Sequence, residues 1–268
     1  MSKHTYMFIG AHPDDADMDF GGTAILLRQL DHTVVFVSVT DGSAGHQTMN
    51  RQELAKRRKA ETEKVAKFLG ITYIVMDAVD GELEADIATR HKLIKVIRES
   101  RPDVIVAPRP NDYHPDHRAV GQLVQDCAYL LAVGSICPEV PRLEHTPYLF
   151  NHQDDFNRPT PFRPELLTDI TPVFTRKMEN LTNHASQVFE WLPFIGGLKE
   201  TAPDTQAERI EFLKQQRGFM TSNTSRLITL FNDPSVKQVE ALERCEYGPN
   251  VSPDIAKELF PFAKINFV

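Results

Sequence analysis

Residues 5–15 read Thr-Tyr-Met-Phe-Ile-Gly-Ala-His-Pro-Asp-Asp. The apolar run Tyr6 to Ala11 reads as a strand buried on both faces, because it is short, continuous and bounded by turn residues. It ends in a cluster of His12, Asp14 and Asp15. The arrangement recurs: Val104–Pro108 is again strand-like and is followed by His114-Pro115-Asp116-His117. In open α/β sheets, ligands gather in the crevice outside the carboxyl ends of the strands. Two His/Asp clusters, each following a strand, therefore point to a mononuclear metal site and to an enzyme.

Working outward, strand and helix patterns alternate. Thr5–Ala11 is followed by a helix over Gly21–Leu30, then a β-branched strand, Thr33–Thr40. A long amphipathic helix covers Arg51–Leu69 and stops at Gly70. Ile71–Asp77 is a third strand and Ile87–Glu99 a helix with Leu93, Ile94 and Ile97 at helical spacing. Val104–Pro108 is the fourth strand and Asp116–Leu131 a further helix. This alternation predicts an α/β fold, a Rossmann-like and mostly parallel sheet with helices on both faces. After residue 134 prolines interrupt the pattern. Short strands are expected at Pro147–Asn151 and Glu165–Ile170, and helices at Val173–His184 and Ala207–Gly218. One domain spans 1–268, with residues 1–134 as the core carrying the metal motifs and 135–268 as a C-terminal region that shapes substrate access.

The composition bounds the function. The chain has 268 residues, is 41% hydrophobic and 25% charged, and carries a net charge of −7. No basic patch offers a nucleic-acid footprint. No stretch reaches the ~20 apolar residues of a membrane span. Cys127, Cys137 and Cys245 form no Cys-x-x-Cys pair, which fits a reducing compartment and a cytoplasmic protein.

His12 and Asp15, three residues apart, can supply two of the three protein ligands of an open catalytic zinc site. One of His114 and His117 can supply the third, leaving the other to donate a proton or a hydrogen bond. Asp14, projecting differently, suits a general base for a metal-activated water. The bland alternatives are that Asp14 and Asp15 cap a helix and that the two histidines decorate a surface turn. The joint placement of both clusters at strand ends favours the metal.

These motifs resemble those of the LmbE-like (PIG-L) zinc-dependent N-deacetylases. Ala11-His12-Pro13-Asp14-Asp15 matches the run after that family's first strand, and His114-Pro115-Asp116-His117 its second hallmark. Further similarity lies in Arg58 and Glu61 on a helix ending Phe68-Leu69-Gly70, in Lys177 with His184-Ala185-Ser186-Gln187, and in Cys245-Glu246-Tyr247-Gly248. The resemblance implies His12, Asp15 and His117 as ligands of one Zn2+ or other divalent ion. It implies Asp14 as general base, and His114 as the group that stabilises the oxyanion and protonates the leaving amine. Asp116 would orient a neighbouring histidine, and Arg58 would contact substrate. The substrate implied is a small N-acetylated amino sugar of the N-acetylglucosamine type, or its conjugate. Relatives occur in several states of assembly, so a homo-oligomer is left open.

Asp112 and Tyr113 join Arg58 as expected substrate-binding residues, with Phe189, Trp191 and Phe194 as further aromatic surfaces. One position departs from the family pattern: Ala16 stands where Glu is usual, and Asp17 follows, about 100° further round a helix. Two rival readings remain: a metal amidohydrolase releasing a different acyl group, since the chemistry at the metal is shared, and, on the strength of Ala16 alone, a non-catalytic carbohydrate-binding relative. Retention of both Asp14 and His114 argues against the second.

Overall fold

The computed structural model describes residues 2–198, 202–216 and 224–267. The first half follows the expected alternation: β1 (Thr5–Gly10), α1 (Asp15–Gln29), β2 (Thr33–Thr40), α2 (Arg51–Leu69), β3 (Thr72–Ala78), α3 (Ile87–Ser100), β4 (Val104–Ala107) and α4 (Pro115–Leu130). The second half adds β5 (Tyr148–His152), β6 (Leu166–Asp169), α5 (Phe174–Leu181), a π-helical turn at Ser186–Trp191, α6 (Leu192–Ile195), α7 (Gln206–Gln215), α8 (Thr224–Phe231), β7 (Val239–Arg244), α9 (Pro253–Leu259) and β8 (Ala263–Ile265).

All eight strands join one sheet in the order β3-β2-β1-β4-β5-β7-β6-β8. The five strands β3 to β5 run parallel, and β7, β6 and β8 extend the sheet in antiparallel fashion. The chain order reverses between β1 and β4, and at such a switch point the loops leaving two neighbouring strands diverge to opposite faces and open a crevice. Both His/Asp clusters leave the sheet there.

Alternate residues of the central strands feed two cores. Tyr6, Phe8, Val34, Phe36 and Val106 pack against α1 and α2 with Phe20, Leu27 and Val65. Met7, Ile9, Val35, Val37 and Ile105 pack on the opposite face against α3 and α4 with Leu93, Ile97, Leu123 and Cys127. Every one of these strand positions is buried. At roughly 1.5–3 kcal/mol for each large apolar side chain removed from water, the double burial explains the unbroken apolar runs. The first core also takes Leu166, Leu242, Leu259 and Phe260 from the second half of the chain.

Two boundaries differ from expectation in an informative way. Helix α1 begins at Asp15 rather than Gly21, six residues earlier than its apolar periodicity suggests. Its first turn is acidic, with Asp15 and Asp17, and acidic groups are favourable at the positive end of a helix. Of the expected helix Val173–His184, α5 covers Phe174–Leu181 after a 3-10 turn that ends at Val173; the chain turns at 182–184 before the π-helical turn starts at Ser186. Arg217 and Gly218, the end of the expected helix Ala207–Gly218, lie outside the described residues. Strands β7 and β8 and helix α9 were not expected.

Gly121 sets how closely α4 lies on the loop that carries the second cluster. A Cβ there would meet backbone atoms, Arg109 C and Pro110 N at 2.7 Å and Pro108 O at 2.8 Å. Backbone cannot rotate away as a side chain can. Gly121→Ala is expected to lower stability by about 2 kcal/mol, read as a fall in the thermal midpoint. A midpoint equal to that of the unaltered protein would show that α4 can lift without cost.

Candidate active site

His12 follows β1 and His117 lies in the first turns of α4, so the two rings meet across the switch point. His12 Nδ1 is 3.2 Å from His117 Nε2. The Asp15 carboxylate completes the triangle, with Oδ1 3.7 Å from His12 Nδ1 and Oδ2 3.5 Å from His117 Nε2. Each side chain is anchored from behind. Asp15 Oδ2 accepts the backbone N–H groups of Ala11 at 2.8 Å and His12 at 2.9 Å. His12 Nε2 lies 3.2 Å from both Asp116 Oδ2 and Asp80 Oδ1. His117 Nδ1 lies 3.1 Å from Asp112 Oδ1.

A carboxylate behind each ring keeps the proton on the far nitrogen, so the two nitrogens that face each other are lone-pair donors. Two lone pairs and a carboxylate converging within 3.7 Å repel one another. A divalent cation with tetrahedral nitrogen and oxygen preferences relieves that repulsion, so the donor set fits zinc or a similar ion. Without the ion, imidazolium protons offset the same repulsion. Burial alone would depress His12, but Asp116, Asp15 and Asp80 hold it well above the usual imidazole range. Burial would raise Asp15, but His117 and His12 pull it far below the usual carboxylate range. A cation at the centre takes over the role of those imidazolium protons.

Other donors lie close by. His114 brings a ring nitrogen within 4.8 Å of those of His12 and His117, and Asp80 and Asp116 form a second group of that compactness with His12. The two carboxylates are already engaged with backbone: Asp116 accepts Gly81 N–H at 2.7 Å and Leu83 N–H at 3.3 Å, and Asp80 accepts Ala44 N–H at 2.9 Å. Both also lie 3.2 Å from His12 Nε2, a position from which they can orient its ring. Such outer partners typically contribute 10–100-fold to metal affinity. Asp116→Asn and Asp112→Asn are each expected to weaken metal binding by about that factor, measured by competition with a chelator. Unaltered affinity in both would remove the orienting role.

Asp14 is buried beside the triangle. Arg58 Nη2 donates to its Oδ1 at 2.6 Å and to Pro13 O at 2.8 Å. Burial pushes the Asp14 carboxyl above its usual range, and the Arg58 charge limits the rise. Arg58 itself is only 2% exposed. The sequence reading directs its guanidinium at substrate; in the structure the guanidinium meets Asp14. The approach depends on Gly42, whose φ is +66°. A Cβ there would lie 2.7 Å from Pro13 Cδ and 2.8 Å from Arg58 Nη1.

His114 caps α4: its Nδ1 accepts the Asp116 N–H at 3.2 Å, and Pro115 follows as the first helical residue. An accepting Nδ1 leaves the proton of the neutral ring on Nε2, a hydrogen-bond donor. Burial, with His12 and His117 nearby, lowers its pKa and favours that neutral form. Asp112, expected at substrate, turns to His117. Tyr113 is 72% exposed, its ring edge against His114 and His117 at 5.7 and 5.6 Å.

The Ala16–Asp17 departure has a structural counterpart. Ala16 packs in the core beneath the site. Asp17 points into the protein, where His184 Nε2 lies 2.9 Å away and Asn180 and Tyr73 donate to it. Glu61 receives Ser186 N–H and Oγ–H, so the Arg58/Glu61 helix and the His184–Gln187 segment are bonded together. Gln187 and Glu190 reach the β2–α2 loop at Gly45 and His46. Among the expected aromatics, Trp191 and Phe194 stack with centroids 5.9 Å apart, and Phe189 is buried against Phe212.

The chain is similar in sequence and fold to known proteins. The family model described as "PIG-L: GlcNAc-PI de-N-acetylase" matches residues 7–128, from β1 to the end of α4. The diacetylchitobiose deacetylase of Thermococcus kodakarensis is 30% identical over 207 residues, which cover 70% of this chain and 73% of that protein. Among solved structures, the N,N'-diacetylchitobiose deacetylase of Pyrococcus horikoshii superposes with a TM-score of 0.73 at 22% identity, covering 91% of this chain and 84% of the other. The 4-carboxy-2-hydroxymuconate hydratase GalB of Pseudomonas putida superposes with a TM-score of 0.69 at 20% identity, covering 93% and 98%. A hydratase on the same fold means that the architecture does not choose the reaction. The sequence match across two thirds of a deacetylase, together with the two motifs at the switch point, identifies the chain as a member of the PIG-L (LmbE-like) family.

Proposed function

We propose that this protein is a metal-dependent hydrolase that removes the acetyl group from an N-acetylated amino sugar of the N-acetylglucosamine type, or from its conjugate. The observation that carries the reading is the convergence of His12 Nδ1, Asp15 and His117 Nε2 within 3.7 Å, with a His114 ring nitrogen within 4.8 Å of the two histidines and Asp14 next in the chain to Asp15. The family relationship favours amide cleavage over the hydration seen on the same fold.

In this reading His12, Asp15 and His117 hold one divalent ion. When bound, it polarises the acetamide carbonyl and lowers the pKa of a water. The remaining work falls to the chain. Arg58 holds Asp14 through Oδ1 and leaves its second oxygen to accept the proton. Asp14 takes the proton of the attacking water, and burial brings its basicity nearer to neutral. His114 directs its Nε2–H at the developing oxyanion, and the N-terminus of α4 adds its dipole. His114 or protonated Asp14 then passes a proton to the departing amine. Tyr113, exposed with its ring against His114 and His117, can meet the sugar.

Acetate release from a panel of N-acetylated amino sugars and conjugates, using the zinc-loaded protein, tests the reading. Turnover of at least one member is expected. Release from none of them, with one metal per chain present, would exclude deacetylation. Release of formyl, propionyl or another acyl group by the same protein would establish the rival amidohydrolase. No helix among the described residues is long and apolar enough to cross a membrane. Cys127, Cys137 and Cys245 are all free thiols, which supports placing the reaction in a reducing compartment such as the cytoplasm.

A further inference from the structure

One turn beyond Asp15 on α1 stands Asp19, on the same helical face and therefore toward the same crevice. His152 ends β5, the parallel neighbour of β4, and so lies at the same carboxyl edge of the sheet as the second cluster. The two meet: His152 Nδ1 is 3.5 Å from Asp19 Oδ2. The His152 ring is clamped on buried Phe8, with centroids 5.4 Å apart. The pair therefore forms the β5 side of the metal pocket.

Neither group is satisfied in the way a structural pair would be. The Asp19 side chain is only 24% exposed and faces His152 Nδ1 at 3.5 Å, but that N–H is better placed on Gln153 O at 3.1 Å, so it leaves the carboxylate weakly served. A largely buried carboxylate short of donors is costly to keep unless a ligand supplies them. Burial raises its pKa to about 6, so at neutral pH it is still mostly an acceptor. His152 Nδ1 lies 3.1 Å from Gln153 O, a carbonyl that can only accept, so the proton sits on Nδ1. Nε2 is then a second acceptor, and no described residue donates to it. Two adjacent acceptors short of donors match two neighbouring hydroxyls.

We infer that Asp19 and His152 bind ring hydroxyls of the substrate beside the metal position, and that they select a polyhydroxylated ring over a plain alkyl amide. The inference rests on the deacetylase reading and names the groups by which the site would recognise a sugar.

Steady-state kinetics on the zinc-loaded full chain test it. The substrate is the panel member with the highest kcat/KM, and N-cyclohexylacetamide serves as a competitor with a similar ring and no hydroxyls. Asp19→Asn is nearly isosteric, and His152→Gln keeps one polar group. Each is expected to raise KM for the sugar about 10-fold. The loss should fall on KM rather than kcat, and the inhibition constant of N-cyclohexylacetamide and the metal content should be unaltered. An unchanged KM in both variants overturns the inference. A parallel loss for sugar and competitor also overturns it, because it would show general damage to the pocket. Absence of acetate release by the unaltered protein is a separate outcome and defeats the deacetylase reading itself.

Discussion

His12→Ala and His117→Ala proteins are expected to purify with less than about a tenth of the metal bound by the unaltered chain and to lose acetate release by about 10⁴-fold. The size follows from what each ring does. A three-ligand site reduced to two donors loses both affinity and the fixed geometry on which carbonyl polarisation depends. Several kcal/mol of charge stabilisation go with the ion, and each 1.36 kcal/mol is tenfold in rate. His12→Ala carries a second cost, because Asp80 and Asp116 both face His12 Nε2 at 3.2 Å and would be left as buried like charges. His12→Ala should therefore melt lower than His117→Ala: both lose a partner of Asp15, but His117→Ala otherwise frees only Asp112. The informative control is His114→Ala. If Asp15 is the third ligand, that variant keeps its metal and loses rate alone. Metal loss in His114→Ala with retention in Asp15→Ala would instead assign the ion to the three histidines. Chelated wild-type protein should match His117→Ala in rate, and elemental analysis alongside acetate release reads every case.

The parallel core was legible because its signals are local. Tyr6–Ala11 and Val104–Pro108 are continuous apolar runs, and double burial demands that pattern. The two clusters were legible for the same reason: ligand, base and helix start lie within four residues of each other. What could not be read is where side chains point. Arg58 and Asp112 were singled out, yet both turn inward, to Asp14 and His117, because neither direction is encoded by spacing along a helix or loop. Asp80 was missed although it follows the end of β3 by two residues, in an Asp-Gly pair at the crevice; a carboxylate after a strand at that edge was the available signal. His152 and Asp19 carried none, since each gains meaning only when β5 is set beside β4. Strands β7 and β8 are short and follow a proline-interrupted stretch. They are defined by their pairing with β5 and β6 rather than by their own alternation.

Asp14→Asn is expected to retain a full complement of metal and normal stability while kcat falls about 10³-fold. Loss of a positioned general base typically costs 10²–10⁴-fold. The choice of Asn matters here. Its Oδ1 can still accept Arg58 Nη2–H, now 2.6 Å from Asp14 Oδ1, so the loop around Gly42 need not move. Asp14→Ala should be as inactive but also unstable, because it leaves the Arg58 guanidinium buried without its counter-charge, a loss of about 3–5 kcal/mol. The pH profile separates basicity from geometry. Burial holds the Asp14 carboxyl above its usual range, and a base acts only when deprotonated. The acidic limb of kcat/KM should therefore rise with pH through that raised value in the unaltered protein, and the part owed to Asp14 should be missing in Asp14→Asn. An Asp14→Asn protein that kept more than about a tenth of its turnover, with the acidic limb intact, would move the base elsewhere. Asp80 and Asp116 are poor substitutes, since both are spent on His12 and on backbone N–H groups.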